Sequence, residues 1–125
     1  MRDKTIHAVT HLMIRAGRDL PLPRVIAMMS LAEDRMRERY GCPIDWEGKF
    51  EGAYQPALMM RRRDLCPEQL DELSEADVEI LDEVHAFFAT LSDHEAAKLV
   101  IQVRPLDPHM AAYYNDFVRV IENNA

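Results

Sequence analysis

The sequence predicts an all-α fold, arranged as one compact domain of about five helices around an irregular middle segment. Three observations support this fold class. Apolar residues recur at helical spacing on both sides of the middle, serine-based capping motifs precede two of the apolar stretches, and most glycines and several prolines crowd between residues 41 and 67. A length of 125 residues fits a single core. We therefore expect one helical domain over residues 1–125.

The first two helices are indicated by apolar spacing and by their stop signals. A helix over about Asp3–Ala16 presents an apolar stripe, and Gly17 is placed to end it with a left-handed cap. A second helix is expected over about Pro23–Tyr40, ended by Gly41 and Pro43. The prolines before it favour a short linker between the two helices.

The middle segment, Cys42–Met60, lacks a clear helical pattern. Its large apolar and aromatic side chains fall on even positions, which is typical of an extended strand: Ile44, Trp46, Phe50 and Tyr54. We expect an irregular loop or a short β-hairpin-like structure here.

Two capping motifs predict later helix starts. Ser74-Glu-Ala-Asp77 and Ser92-Asp-His-Glu95 each place a hydroxyl three residues before a carboxylate. We expect the first helix to reach about Leu91 and the second about Arg104. Asp107–Pro108 predicts the start of a last helix, which continues to about Ile121.

The charges are distributed unevenly along the chain. Residues 1–63 hold twelve Lys and Arg against eight Asp and Glu, and residues 64–125 hold three against fourteen, so a net charge of −7 divides into +4 and −11. A negative net charge disfavours nucleic-acid binding, because that binding depends largely on neutralising phosphates with basic side chains. No apolar run approaches the roughly 20 residues of a membrane span, and two cysteines do not form a disulfide framework. These features predict a cytoplasmic protein with no membrane partner.

No catalytic or metal-binding motif is evident. His7 and His11 lie one helical turn apart, but no third ligand is placed beside them. Cys42 and Cys66 match neither a zinc spacing nor a redox motif. We therefore expect no cofactor, no metal and no enzymatic activity, and an action that depends on binding another protein.

Two surfaces are candidates for that binding. The first consists of the aromatic and basic residues of the middle segment: Trp46, Tyr54, Arg61, Arg62 and Arg63. Trp, Tyr and Arg dominate interface hot spots, although acidic neighbours could instead neutralise the arginines. The alternative is an acidic surface formed by Asp71, Glu75, Glu79 and Asp82. It is either a solvated helix face or a docking surface for a basic partner, as in an inhibitor that covers the nucleic-acid-binding site of its target.

Six stretches of the chain follow one another in an order that is typical of a known helical family: Val9–Gly17, Pro23–Tyr40, Tyr40–Ile44, Phe50–Pro56, Leu73–Val84 and Leu91–Leu99. This order resembles the Panacea domain of SocA-like antitoxins, and the likeness covers about residues 5–104. The resemblance implies a component of a toxin–antitoxin system that neutralises a partner toxin by direct contact, in some members by delivering it to a protease. It thus implies a non-enzymatic antitoxin or proteolytic adaptor.

Overall fold

The structure is a computed structural model that describes residues 3–41, 50–63 and 69–103. These ranges hold five helices: α1 (Asp3–Ala16), α2 (Leu22–Tyr40), α3 (Phe50–Arg61), α4 (Glu75–Phe88) and α5 (Asp93–Val103). Helix accounts for 79% of the described residues, and no strand occurs among them. The predicted all-α class is therefore confirmed.

The first two helices end where the glycines predicted. Gly17 and Gly41 have φ angles of 71° and 73°, in the left-handed region that glycine enters without a Cβ penalty. The Gly41 N–H donates to the Arg37 carbonyl at 3.0 Å and closes the last turn of α2. The same arrangement joins Gly17 to Met13 at 2.9 Å.

Both predicted capping boxes are present. The Asp77 N–H donates to the Ser74 hydroxyl oxygen at 3.1 Å, and the Ser74 N–H donates to the Asp77 carboxylate at 3.0 Å. Ser92 and Glu95 form the same reciprocal pair at 3.1 Å. The starts of α4 and α5 are therefore confirmed, and α4 ends at Phe88, three residues before the predicted end.

Helix α3 corrects the prediction of an irregular or hairpin-like middle. Residues 50–60 are helical, because burial of Ala53, Ala57 and Leu58 along one face outweighs the breaking tendency of Pro56. Proline leaves the Gly52 carbonyl without its usual helical donor, but Gly52 is exposed and water can satisfy it. Residues 42–49, including the predicted strand positions Ile44 and Trp46, lie outside the described residues. So does the predicted last helix from Asp107.

The core forms around the N-terminal half of α2. An unbroken run from Pro23 to Ser30 is buried, so this part of the helix is covered on every side. Helix α2 packs against α3, α4 and α5, and α1 packs against α3 and α4. The largest fully buried side chains include Leu12, Met13, Met28, Met29, Ile80 and Leu81. Within the described ranges, no helix is both long enough and apolar enough to cross a membrane.

Candidate functional site

The acidic helix α4 is paired with basic residues of α2. Arg39 contacts Glu83 at 2.7 Å and Glu79 at 3.1 Å, and Arg35 contacts Glu83 at 3.2 Å. The hydrogen bond from Arg39 lowers the pKa of the Glu83 carboxyl, and the same bond raises the pKa of Arg39. Glu83 is therefore bound as a carboxylate between two guanidinium groups.

The opposite side of α4 is paired with α1. Asp82 lies 2.7 Å from the Nε2 atom of His11 and 3.1 Å from the Nε atom of Arg15. One turn earlier, Lys4 contacts Asp77 at 3.0 Å. His11 is only 1% exposed, so it is an internal contact between helices rather than a surface histidine.

Two further carboxylates bind arginines near the turn between α1 and α2. Asp93, the first residue of α5, accepts from Arg18 at 2.9 Å and from Arg24 at 3.1 Å. Asp19 accepts from Arg61 at 2.9 Å and from Arg62 at 3.2 Å. The first of these clusters ties the α1–α2 turn to α5, and the second ties it to the end of α3.

These pairs explain much of the charge asymmetry of the chain. The predicted acidic surface is partly engaged inside the molecule, because Glu79 contacts Arg39 and Asp82 contacts His11 and Arg15. Asp71 and Glu75 are exposed, and neither forms an ion pair with another described residue. A basic partner would therefore meet fewer available carboxylates on α4 than the sequence suggests.

The residues of the predicted aromatic and basic surface differ in their environments. Trp46 lies outside the described residues. The half-buried Tyr54 packs against the core and donates its hydroxyl proton to the Leu20 carbonyl at 2.6 Å. Arg61 and Arg62 are bound to Asp19, as described above. Arg63 is exposed and has no ion-pair partner among the residues that the structure describes.

Arg63 contributes to an open groove between α1 and α3, which we call the α1–α3 groove. Its volume is about 350 Å³, and its lining is mostly apolar. The lining residues are Ile6 and His7 of α1 together with Gln55, Pro56, Met59, Met60 and Arg63 from α3 and the turn after it. Met59 is 58% exposed, the largest exposed fraction among the large apolar side chains of the described residues. The groove thus offers apolar contact area with one guanidinium at its edge.

Comparison with known proteins does not indicate what this groove binds. Comparison with models of protein families, with curated proteins and with solved structures finds no match to the chain. The resemblance to the Panacea domain stays a prediction. A function has to be argued from the residues themselves.

Sequence reasoning missed the α1–α3 groove because it missed α3. Pro56, Met59 and Met60 are spaced i, i+3 and i+4, which places them on one side of α3, and Arg63 follows in the turn after that helix. Ala53 and Ala57 face the core on another side. A count of helical spacing across residues 53–63 would have found both faces.

The histidines do not come together with further ligands. Within the described ranges, no group of three or more His, Cys, Asp and Glu side chains is arranged to hold a metal ion. His7 accepts a hydrogen bond from the Glu72 N–H at its Nδ1 atom, at 3.3 Å, whereas His11 is bound to Asp82. The two imidazoles therefore have different partners, although they lie one turn apart on α1.

Proposed function

We propose that this protein is a non-enzymatic binding module, antitoxin-like or adaptor-like, that neutralises a partner protein through contact at the α1–α3 groove. The observation that carries the proposal is the exposure of Met59 within an apolar concave surface. Exposed apolar surface that forms a groove is typical of protein-interaction sites. Methionine suits such sites because its unbranched thioether adapts to different partner surfaces.

The groove is a better docking surface than the charged faces of the molecule. Binding through Arg61, Arg62 or Glu79 would require breaking an ion pair that already exists within the chain. A partner that covers Met59 displaces only water from apolar surface, and burial of that surface stabilises the complex by about 25 cal/mol per Å². The gain comes without breaking any pair in the free protein.

The resemblance to Panacea-domain antitoxins favours a toxin, or another protein that the chain inhibits, as the partner. A protein that blocks a toxin by contact needs a stable scaffold and an exposed docking surface, and it needs no catalytic group. The buried core around α2 supplies the scaffold, and the groove supplies the surface. The partner is then a toxin or another protein whose activity the chain inhibits.

The test combines partner capture with a growth assay in the host that carries the gene. The tagged chain is used to capture proteins from that host, and the most enriched one is then expressed alone and together with the chain. We expect the partner alone to arrest growth and the wild-type chain to restore it. Met59→Glu should abolish both capture and rescue, because it places a charge in the apolar groove.

Matched variants separate the groove from other surfaces. Phe87→Glu makes the same exposed change on α4, where Phe87 is 47% exposed and Arg35 lies 5.9 Å from its ring centre. This variant should retain capture and rescue. Glu75→Lys tests the alternative acidic surface. If Glu75→Lys loses the partner and Met59→Glu keeps it, the groove proposal is wrong and a basic partner on α4 replaces it.

A further inference from the structure

We infer that the α1–α3 groove selects an acidic protein segment, one whose apolar side chain enters the groove while an adjacent Asp or Glu meets Arg63. This inference rests on the proposed function, since it takes the groove to be the partner site. It adds the chemistry of the partner, which follows from the polar groups at the groove.

One arginine at the end of α3 has a charge that no described carboxylate neutralises. Three arginines follow one another, and Asp19 binds two of them, Arg61 and Arg62. Arg63 lines the groove, is exposed, and has no acidic partner among the described residues. A guanidinium offers five N–H donors in a planar fork that fits a carboxylate with two parallel hydrogen bonds.

His7 lines the same groove. Its Nδ1 atom accepts a hydrogen bond from the backbone N–H of Glu72. A neutral imidazole that accepts at Nδ1 carries its proton on Nε2, so its second nitrogen is a donor. Arg63 and His7 therefore both offer N–H donors at the groove, and a partner carboxylate accepts from them whereas a lysine or arginine side chain has no acceptor.

The size and shape of the groove favour a segment of protein chain as its occupant. A volume of about 350 Å³ is near the lower end of the range of about 300–1,000 Å³ for small-molecule pockets. The groove is open to solvent and has the exposed Met59 at its surface. An open groove between two helices suits a segment of protein chain better than an enclosed small molecule.

The net charge of −7 does not oppose this local preference. At physiological salt the screening length is about 8 Å, so acidic residues on distant faces contribute little at the groove. Much of the acidic charge on α4 is also neutralised by the arginines of α2 and by the basic residues of α1.

The test is a selection from a displayed library of random peptides. Peptides of about 15 residues, long enough for about four helical turns, are selected on the full chain. The peptides kept for analysis are those that bind wild type but not Met59→Gln, a neutral substitution that does not itself repel acidic peptides. We expect Asp and Glu to be enriched in them relative to the unselected library, next to apolar residues. Arg63→Glu should lower the affinity of these peptides by about tenfold or more, because it removes a charge-assisted contact and adds a charge of the same sign as the peptide's.

A second selection on the Arg63→Glu chain should reverse the preference and enrich Lys and Arg. Arg37→Glu is the matched control, since Arg37 is an exposed arginine of α2 that does not line the groove. It should leave binding of the acidic peptides within about twofold of wild type. Thermal melting of each variant shows that it remains folded.

Two results would overturn the inference. One is a set of Met59-dependent peptides with no excess of acidic residues, or with affinities that Arg63→Glu leaves unchanged. The other is a library that yields no Met59-dependent peptide. Neither result depends on the host partner. The proposed function fails in a different way, when capture and growth rescue do not depend on Met59, so the two failures are distinguishable.

Discussion

We predict that Arg24→Met destabilises the protein far more than Arg18→Met, although both arginines bind the same carboxylate of Asp93. Arg24 is 6% exposed, and its guanidinium donates to the Leu91 carbonyl at 2.8 Å, to Asp93 at 3.1 Å and to the Phe88 carbonyl. One buried side chain of α2 therefore satisfies carbonyls at the end of α4 and holds the start of α5.

The expected loss follows from the groups left without a donor. Methionine retains most of the apolar stem, so the change mainly removes the guanidinium. Only the Leu91 carbonyl is left without a donor, because the Phe88 carbonyl also accepts the Leu91 N–H at 2.9 Å. One buried carbonyl left unsatisfied costs about 1–3 kcal/mol. Asp93 is one-third exposed and keeps Arg18, which limits the electrostatic loss. We expect the free energy of unfolding to fall by about 2 kcal/mol.

Arg18 is the matched control because it binds Asp93 at 2.9 Å from a side chain that is 47% exposed. Exposed ion pairs contribute about 0–1 kcal/mol, so Arg18→Met should lower stability by less than about 1 kcal/mol. The measurement is urea denaturation of both variants and of wild type, with unfolding monitored by circular dichroism. Losses that differ by less than about 1 kcal/mol would refute the capping role of Arg24.

Two further predictions concern acid and metal. Glu83 has a pKa below its unfolded value because Arg39 donates to it, so its stabilising effect is present above about pH 4.3 and is lost as the pH falls through the folded pKa. The difference in melting temperature between wild type and Glu83→Gln should therefore shrink as the pH is lowered from about 7 into the acid range, and a difference that stays constant would contradict this. Because His11 is bound to Asp82 and His7 to a backbone N–H, a chelator should leave the melting temperature unchanged; a fall that zinc reverses would show that metal binds there.

The helix boundaries could be predicted from the sequence because local chemistry sets them. Ser74 and Ser92 each cap a helix with a carboxylate three residues later, and Gly41 enters a backbone region that other residues avoid. Helix α3 could not be predicted by the same reasoning. Its Pro56 is a local signal against a helix, whereas the favourable contribution comes from burial of Ala57 and its neighbours against other helices.

The binding surface was harder to predict because ion pairs join distant parts of the chain. Asp19 binds Arg61 and Arg62 across more than 40 positions, and no sequence pattern links them. Because Asp19 neutralises Arg61 and Arg62, Arg63 differs from its two neighbours in having no ion-pair partner among the described residues. The charge asymmetry was visible in the sequence, but its explanation as pairing between α2 and α4 required the tertiary structure.

The burial of the N-terminal half of α2 on every side has a consequence for how the chain is synthesised. Met28 and Met29 are covered in the finished fold, and α2 packs against both α4 and α5. During synthesis Tyr40 precedes the end of α5 by about 60 residues, which at about 5–20 residues per second takes about 3–12 s. Until α4 and α5 have been synthesised, α2 is a methionine-rich helix that lacks two of the helices that cover it in the finished fold. A nascent chain of this kind is a natural substrate for ribosome-associated chaperones, and slower translation of residues 41–103 lengthens its exposure.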